Sequence, residues 1–476
     1  RQMSGRGNTR YKTNLPQKPP VDGASIQLTI DLEYQAILQE ELAMQVEKTS
    51  ASSAMGLILN PQTGDILAMA AVPDFDPNYP GRGEIGWQRN KVITDQFEPG
   101  STFKIVPITG AVDQNTVSLW QEFNCENGSY MFAGQTIKDW DDFGLLTVPQ
   151  IMENSSNVGV IKIAETLGRN NLYRYSRNLG FGMATNISLA GEHPGTLRQV
   201  TEWSHISLAQ ISLGHEVGVT TLQLGMAYAA IANGGFLMKP RLIKQIISSS
   251  GKTVYAEQPE VIRKVASKNV MDIMTDMLCR VVDTGTGTKA AINGWSVAGK
   301  TGTAQKYIDG RYSKKKFISN FVGFLPADNP QLVGVIILDE PNIGYHWGGH
   351  GAAPVFKRVM ERIINMDDSI RLLKPQTIKN GSLLAQERLP LPHTSDYTVA
   401  KPVVLSNVMT IIPVVQKENG DSYIPDVRGM SLRKARTVLR QIGLRTFFKG
   451  SGKVIWQSPK PGTIVANGSI CTIGLK

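Results

Sequence analysis

Three short stretches of this chain carry side chains whose types and spacing could do covalent chemistry. In Glu98-Pro99-Gly100-Ser101-Thr102-Phe103-Lys104 a hydroxyl and an amine stand at i, i+3 beside a Pro-Gly break. A helix would begin there, and one turn of it stacks the two groups side by side. A serine hydroxyl is a weak nucleophile until a neighbouring base takes its proton, and an amine can be such a base only when it is neutral. Bringing an ammonium from a pKa of about 10.4 to about 7 costs roughly 4.6 kcal/mol at 1.36 per unit, which burial and a second cation can supply together. The tetrad alone carries little weight, because Ser-x-x-Lys recurs at Ser249, Ser313 and Ser431. Its company decides. Fifty-four residues on stands Ser155-Ser156-Asn157, and 145 further on stands Lys300-Thr301-Gly302-Thr303, the one Lys-Thr-Gly in the sequence.

The last stretch also satisfies a different pattern. Gly294-Trp295-Ser296-Val297-Ala298-Gly299-Lys300-Thr301 reads Gly-x4-Gly-Lys-Thr, and Val335-Ile336-Ile337-Leu338-Asp339-Glu340 mimics the apolar strand ending in an acid of P-loop ATPases. A phosphate loop must follow a buried strand and open a helix, yet residues 284–293 hold no apolar run. After Thr301 two extended segments flank Asp309-Gly310, among the strongest hairpin signals, so Lys300 is expected on a strand where no helix dipole serves a phosphate. His346 and His350 are the only close histidine pair, but the three glycines around them argue against a helix and against a metal site. Three cysteines, Cys125, Cys279 and Cys471, are too few and too far apart for a disulfide framework or a Cys-x-x-Cys knuckle. Neither metal nor cofactor is expected.

The elements that must position these residues can be read from periodicity. Ile26, Leu28 and Ile30 alternate as a strand does, Asp31 sits where an N-cap belongs, and a helix follows to about Lys48. Met55 to Leu59 and Ile66 to Ala71 flank the turn chemistry of Asn60-Pro61-Gln62-Thr63-Gly64-Asp65 and read as a hairpin. Residues 99–235 are richer in helical periods, for example Leu222 to Ala232 with Gly234-Gly235 as its stop. Strands return after residue 295, at Phe317 to Leu325 and Leu332 to Leu338, with a helix over 354–365. Strands, then helices, then strands of one sheet predict an α+β body whose sheet is completed by sequence-distant segments.

At 476 residues, two or three domains are expected. Apolar residues at 41% with 46 Gly and 25 Pro exclude collagen, a long coiled coil and wholesale disorder. No run of about 18 apolar residues occurs, which excludes a spanning helix within these residues. The chain opens at Arg1 without Met or an apolar signal segment, so a fragment with its upstream address missing is expected. Net charge is +10, but residues 1–20 hold +5 and residues 421–476 hold +8, leaving −3 for the body. A near-neutral body with basic extremities is a poor nucleic-acid enzyme; solvated surface charge, or contact with an anionic wall or membrane, fits better. Lys314-Lys315-Lys316 reads likewise as a solvated hairpin face, and Tyr345 and Trp347 as core or rim aromatics. Residues 372–420, with Lys374-Pro375, Leu389-Pro390-Leu391-Pro392 and Lys401-Pro402, read as a linker. Beyond it Ser431 caps a helix with Leu432, Ala435, Val438, Leu439 and Ile442 on one face, ahead of three short strands within 444–473.

The three motifs in this order resemble the set shared by penicillin-binding proteins and class A β-lactamases. Phe97 to Lys104 is similar to the nucleophile segment of class B penicillin-binding proteins of the septal, cell-division type. Gly348-Gly349 and Ala352-Ala353-Pro354-Val355-Phe356 resemble that family too. The likeness covers about residues 25–365. Residues 421–476, with Pro425-Asp426-Val427-Arg428-Gly429-Met430, Gly443-Leu444 and Gln457-Ser458-Pro459, resemble a single PASTA module. Ser-Ser-Asn in place of the lactamase Ser-Asp-Asn favours the transpeptidase branch.

The resemblance implies an α+β transpeptidase fold, a mostly antiparallel sheet with flanking helices and an all-helical subdomain, over residues 25–371. Residues 1–24 would be the remnant of an N-terminal pedestal, 372–420 a linker and 421–476 the PASTA domain, which docks, contacts a partner or binds wall. Ser101 would be the nucleophile and Lys104 its base, with Lys300 as the second cation. Ser155 would relay a proton to the leaving amine while Asn157 holds the substrate amide and the lysine amine. Backbone N–H groups of Ser101 and Thr303 would face the oxyanion, and Thr301, Gly302 and Thr303 with Lys300 would bind a terminal carboxylate. The implied activity is cross-linking of peptidoglycan stem peptides from lipid-linked precursor, with β-lactams acylating the same serine. Implied partners are a membrane-embedded glycosyltransferase and divisome proteins, with no nucleic acid. The implied location is the extracytoplasmic face of a bacterial membrane, the anchor preceding residue 1. Two alternatives stay open: a β-lactamase or D,D-carboxypeptidase, and a non-catalytic receptor that senses muropeptide or β-lactam.

Overall fold

The computed structural model describes residues 22–371 throughout, most of residues 422–475, and the strand pair Gln2–Met3 and Thr9–Arg10. The chain divides into two compact units, residues 1–378 and 379–476. In the first, β1 (Ser25–Leu28) leads to α1 (Leu32–Thr49), whose N-terminus Asp31 caps by accepting from the amides of Glu33 and Tyr34. The hairpin read from Asn60 to Asp65 joins β2 (Ser53–Leu59) to β3 (Ile66–Val72). The helical middle holds α2 (Ile105–Asp113), α3 (Val148–Asn154), α4 (Asn157–Leu167), α5 (Arg169–Asn178), α6 (Ser207–Ser212) and α7 (Thr221–Ala232). After β4 (Ile243–Ile247), β5 (Thr253–Ala256) and α8 (Lys268–Asp283), the chain returns to the main sheet. There it adds β6 (Ala298–Ile308), β7 (Arg311–Leu325) and β8 (Leu332–Asp339), and α9 (Ala353–Met366) follows.

The main sheet has the order β6-β7-β8-β2-β3 and is antiparallel throughout. Sequence-distant β2 and β8 meet at its centre, as the pattern of strands, helices and strands predicts. Both faces are covered, so apolar residues fill both alternations of the central strands. Met55, Leu57, Leu59, Val335 and Ile337 pack toward the helical middle. Ala54, Ile58 and Ile336 pack toward α1 and α9. That double burial is why Val335 to Leu338 reads as an unbroken apolar run. Across the second face Glu41 of α1, 3% exposed, takes both Arg358 (2.6 Å) and Arg362 (3.1 Å) of α9.

The first strand, read from Ile26 to Ile30, stands apart from the main sheet: β1 pairs with β4 in a separate three-stranded sheet, with Ile26 and Leu28 exposed. The outer edge of β3 is already in use, because the Gln35 side chain of α1 donates to the carbonyl of Met69 (2.9 Å) and accepts from its N–H (2.8 Å). A side-chain amide that reads both backbone groups leaves a further strand no ladder to extend.

In the second unit, Arg445–Lys449 pairs parallel and Val454–Ser458 antiparallel with the central strand Ile470–Leu475. Ala435, Val438 and Leu439 are buried with Ile424, Val427, Cys471 and Ile473 in one small core. Ser431, Leu432 and Ile442 of the expected helix, like residues 372–420 of the expected linker, lie outside the described residues.

Candidate active site

The nucleophile segment begins with a forced turn. Gly100 has φ +58°, and its N–H donates to the carbonyl of Gly214 (3.2 Å). A Cβ on Gly100 would sit 2.6 Å from the carbonyl oxygen of Thr303, so only glycine lets the turn approach β6 this closely. Residues Gly100–Lys104 form a 3-10 turn that runs into α2. At three residues per turn, positions i and i+3 eclipse, so Ser101 and Lys104 stand on one side more directly than an α-helix would place them. Thr102 and Phe103 anchor the other side. Tyr228 Oη donates to the Thr102 carbonyl (3.0 Å), and Phe103 is fully buried against Phe181. Ser101 is left half-exposed at the opening.

Lys104 is fully buried, and its Nζ donates to Ser155 O (2.6 Å), Ser155 Oγ (3.3 Å) and Asn157 Oδ1 (2.8 Å). Ser155, in the left-handed region at φ +58°, ends α3, and Ser156 caps α4, which opens at Asn157. A sharp break between two helices thus turns the Ser155 carbonyl and hydroxyl and the Asn157 amide toward one amine. Asn157 is held in turn: its Nδ2 donates to Lys138 O (2.8 Å). Asp139, which sequence reasoning did not single out, fixes this break. Its carboxylate accepts from the amides of Asn157 and Val158 and from Ser156 Oγ (2.7 Å), at the positive end of α4.

Lys300 to Thr303 lie on β6 in register with Val322, Phe321, Asn320 and Ser319 of β7. The strand runs on to Ile308, so no helix follows Lys300 and the phosphate-loop pattern is coincidental. Lys300 is fully buried beside Lys104 and its Nζ donates to Thr301 O (3.3 Å). Thr301 Oγ1 pairs with Thr286 Oγ1 (2.8 Å). Thr303 Oγ1 accepts from the N–H of Gly348 (3.1 Å), which leaves its own proton free to donate. Gly348-Gly349 is needed for that fit, since a Cβ on Gly348 would overlap the carbonyls of Asn320 and Gly302.

The electrostatics differ from the sequence reading in one respect. Burial lowers the Lys104 amine from 10.5 to about 7, and Asp139 opposes that shift. Lys300, assigned the part of fixed cation, is itself pushed well below the lysine range, first by burial and then by Lys104. Two ammonium groups taken from water into one dry site cannot both keep their protons. All the proposed site residues converge: Ser101 and Lys104 on one turn, Ser155 and Asn157 on the amine, Lys300 to Thr303 on the strand against Gly100. Sequence reasoning missed Asp139, Thr286 and Asn320, whose only signal is long-range contact. Among the described residues all three cysteines are free, and no group of His, Cys, Asp or Glu could hold a metal ion.

Comparison with known proteins bears on this geometry. Residues 54–361 match the model for the penicillin-binding protein transpeptidase domain, and residues 422–475 match that for the PASTA domain. The stage V sporulation protein D of Bacillus subtilis is 32% identical over 455 residues, covering 95% of this chain and 65% of its own length. The peptidoglycan D,D-transpeptidase FtsI of Escherichia coli is 34% identical over 341 residues, covering 71% of this chain and 56% of its own. The chain thus spans less than two thirds of these relatives. The crystal structure of penicillin-binding protein 3 from Mycobacterium tuberculosis in its apo form superposes with a TM-score of 0.68 at 30% identity, over 74% of this chain and 81% of that one. With the transpeptidase model matching well over half of its residues and the three motifs brought together around the Ser101 turn, this chain belongs to the penicillin-binding proteins of class B, and carries one PASTA domain.

Proposed function

We propose that the chain is a peptidoglycan D,D-transpeptidase working through an acyl-enzyme on Ser101. The observation that carries this is the seat of Lys104: a buried amine near pKa 7, with acceptors from the middle motif, one turn from a half-exposed serine. Ser101 Oγ attacks the carbonyl of the penultimate D-Ala of a donor stem peptide and its proton passes to Lys104. Negative charge on the former carbonyl oxygen meets the N–H groups of Ser101 and Thr303. Collapse breaks the C–N bond, and Ser155, in contact with Lys104, relays the proton to the departing D-Ala amine. An acceptor amine then attacks the ester and its proton returns through Lys104, freeing Ser101. Thr301, Thr303 and Lys300, with Gly302 keeping the strand open, receive the terminal carboxylate. That anion favours the charged form of Lys300 and so restores the cation that burial beside Lys104 opposes.

A β-lactam presents a strained amide to the same serine and should remain attached. We place the work at the extracytoplasmic face of a bacterial membrane, in septal wall synthesis, with a glycosyltransferase and divisome proteins as partners. No helix among the described residues is long and apolar enough to cross a membrane. The test is labelling with a fluorescent penicillin, followed by mass analysis of the peptide containing Ser101. A label that lasts many minutes and disappears in Ser101→Ala supports the reading. Rapid turnover would make the protein a β-lactamase. Durable labelling without cross-link formation from lipid-linked precursor would favour a sensing receptor.

A further inference from the structure

Asn320 sits fully buried in the middle of β7, opposite Gly302 of the Lys-Thr-Gly motif. Its Nδ2 donates to the carbonyl of Pro99 (3.2 Å), one residue before the Gly100 turn. The same carbonyl accepts from Thr102 Oγ1 (2.9 Å), so it closes the turn that presents Ser101. The side chain reaches Pro99 past Gly302, and a Cβ on Gly302 would overlap the Asn320 amide and lie 2.7 Å from Pro99 O. In this chain the glycine of the motif therefore makes room for a tie running behind the substrate strand. The tie is kept at a cost, since Asn320 Oδ1 has no hydrogen-bond partner among the described residues. A serine at 320 would be too short to span the strand, and an ionised aspartate would offer no donor. The hairpin strand holds the same segment at a second point: Tyr312 Oη donates to Glu98 (3.2 Å), which also takes the N–H of Glu216 (2.9 Å) and His215 Nδ1 (3.0 Å).

We propose that Asn320 is a positioning residue for acyl transfer: by tying the Pro99 carbonyl to β7 through the gap at Gly302, it sets the spacing between the Ser101 turn and the Thr303 backbone. The inference rests on the acyl-transfer reading above. A tie of this kind acts on the geometry in which charge develops rather than on ground-state binding. Its signature is a split between the two stages of acylation.

The experiment follows acylation of the full chain by a fluorescent penicillin over a range of concentrations, separating the non-covalent binding constant from the first-order acylation rate. Asn320→Ala should lower that rate about ten-fold or more, which corresponds to about 1.4 kcal/mol. The binding constant should stay within about two-fold of the parent. Should Asn320→Ala fail to fold, Asn320→Ser, which cannot reach Pro99 but keeps the strand polar, is read in its place. An unchanged acylation rate in the folded variant overturns the proposal, and so does a fall matched by equally weakened binding. A parent chain that is never acylated overturns the acyl-transfer reading and this inference with it. A parent that acylates beside an equally fast variant overturns the inference alone.

Discussion

The pH dependence of acylation tests the central claim about Lys104 most directly. The amine moves from 10.5 to about 7, a displacement of roughly 5 kcal/mol at 1.36 per unit, with burial as its main cause. At pH 7.5 about three-quarters of such an amine is neutral, against about one in a thousand for an ordinary lysine, so burial raises the effective base some thousand-fold. The rate of Ser101 acylation should therefore rise with pH through about 7 and level off above it. Asp139 is the charge that opposes the shift, and Asp139→Asn removes it while an amide oxygen can still accept from Asn157 and Val158. In the variant the acid limb should move to lower pH. At pH 6, where about one tenth of the parent amine is neutral, the variant should hold the larger active fraction. At pH 8 it should gain nothing, having lost part of its helix cap. The same shift has a stability consequence of definite sign. Between about 7 and 10.5 the unfolded chain binds the extra proton, so folding stability contributed by Lys104 rises with pH across that window. Acylation rates from pH 5.5 to 9 decide the matter: a parent limb near 10, or one that Asp139→Asn leaves in place or moves upward, would refute the reasoning.

Three further outcomes follow from the packing. Gly302→Ala should abolish penicillin labelling, because the new methyl would overlap the Asn320 amide behind the strand; labelling at the parent rate would show the strand can bulge freely. Arg358→Ala leaves the buried Glu41 with Arg362 still beside it, so with one partner kept and Arg358 itself a third exposed it should cost about 1 kcal/mol in denaturant unfolding, whereas no measurable loss would show the pair to be inert. Deleting residues 415–476 should leave the acylation rate of Ser101 unchanged, since every group proposed to act on it, Asn320 included, lies between residues 98 and 348. A fall in that rate would give the PASTA domain a part in the chemistry.

Much of the molecule is legible in the amino-acid order because its signals are local. Asp31 caps the helix it precedes, Asp309-Gly310 turns β6 into β7, and the apolar runs at Met55 to Leu59 and Val335 to Leu338 become the central strands. The three motifs were recognisable because their chemistry is written within four residues each, and the hairpin after Thr301 sufficed to set aside a phosphate loop. Backbone preference and side-chain period act over one or two turns, so they survive in a linear reading. Only tertiary structure decided that β1 leaves the main sheet, since Gln35 occupies the edge of β3 from another element. Asp139 became visible as the support of Asn157, and Asn320 as the support of Pro99, through contacts that join residues 18 and 221 positions apart. The charge state of the two lysines also belongs to the fold. A lysine's sequence neighbours do not say how much water it keeps, and it is burial that brings the Lys104 amine down to about 7 and burial beside Lys104 that pushes Lys300 well below the lysine range.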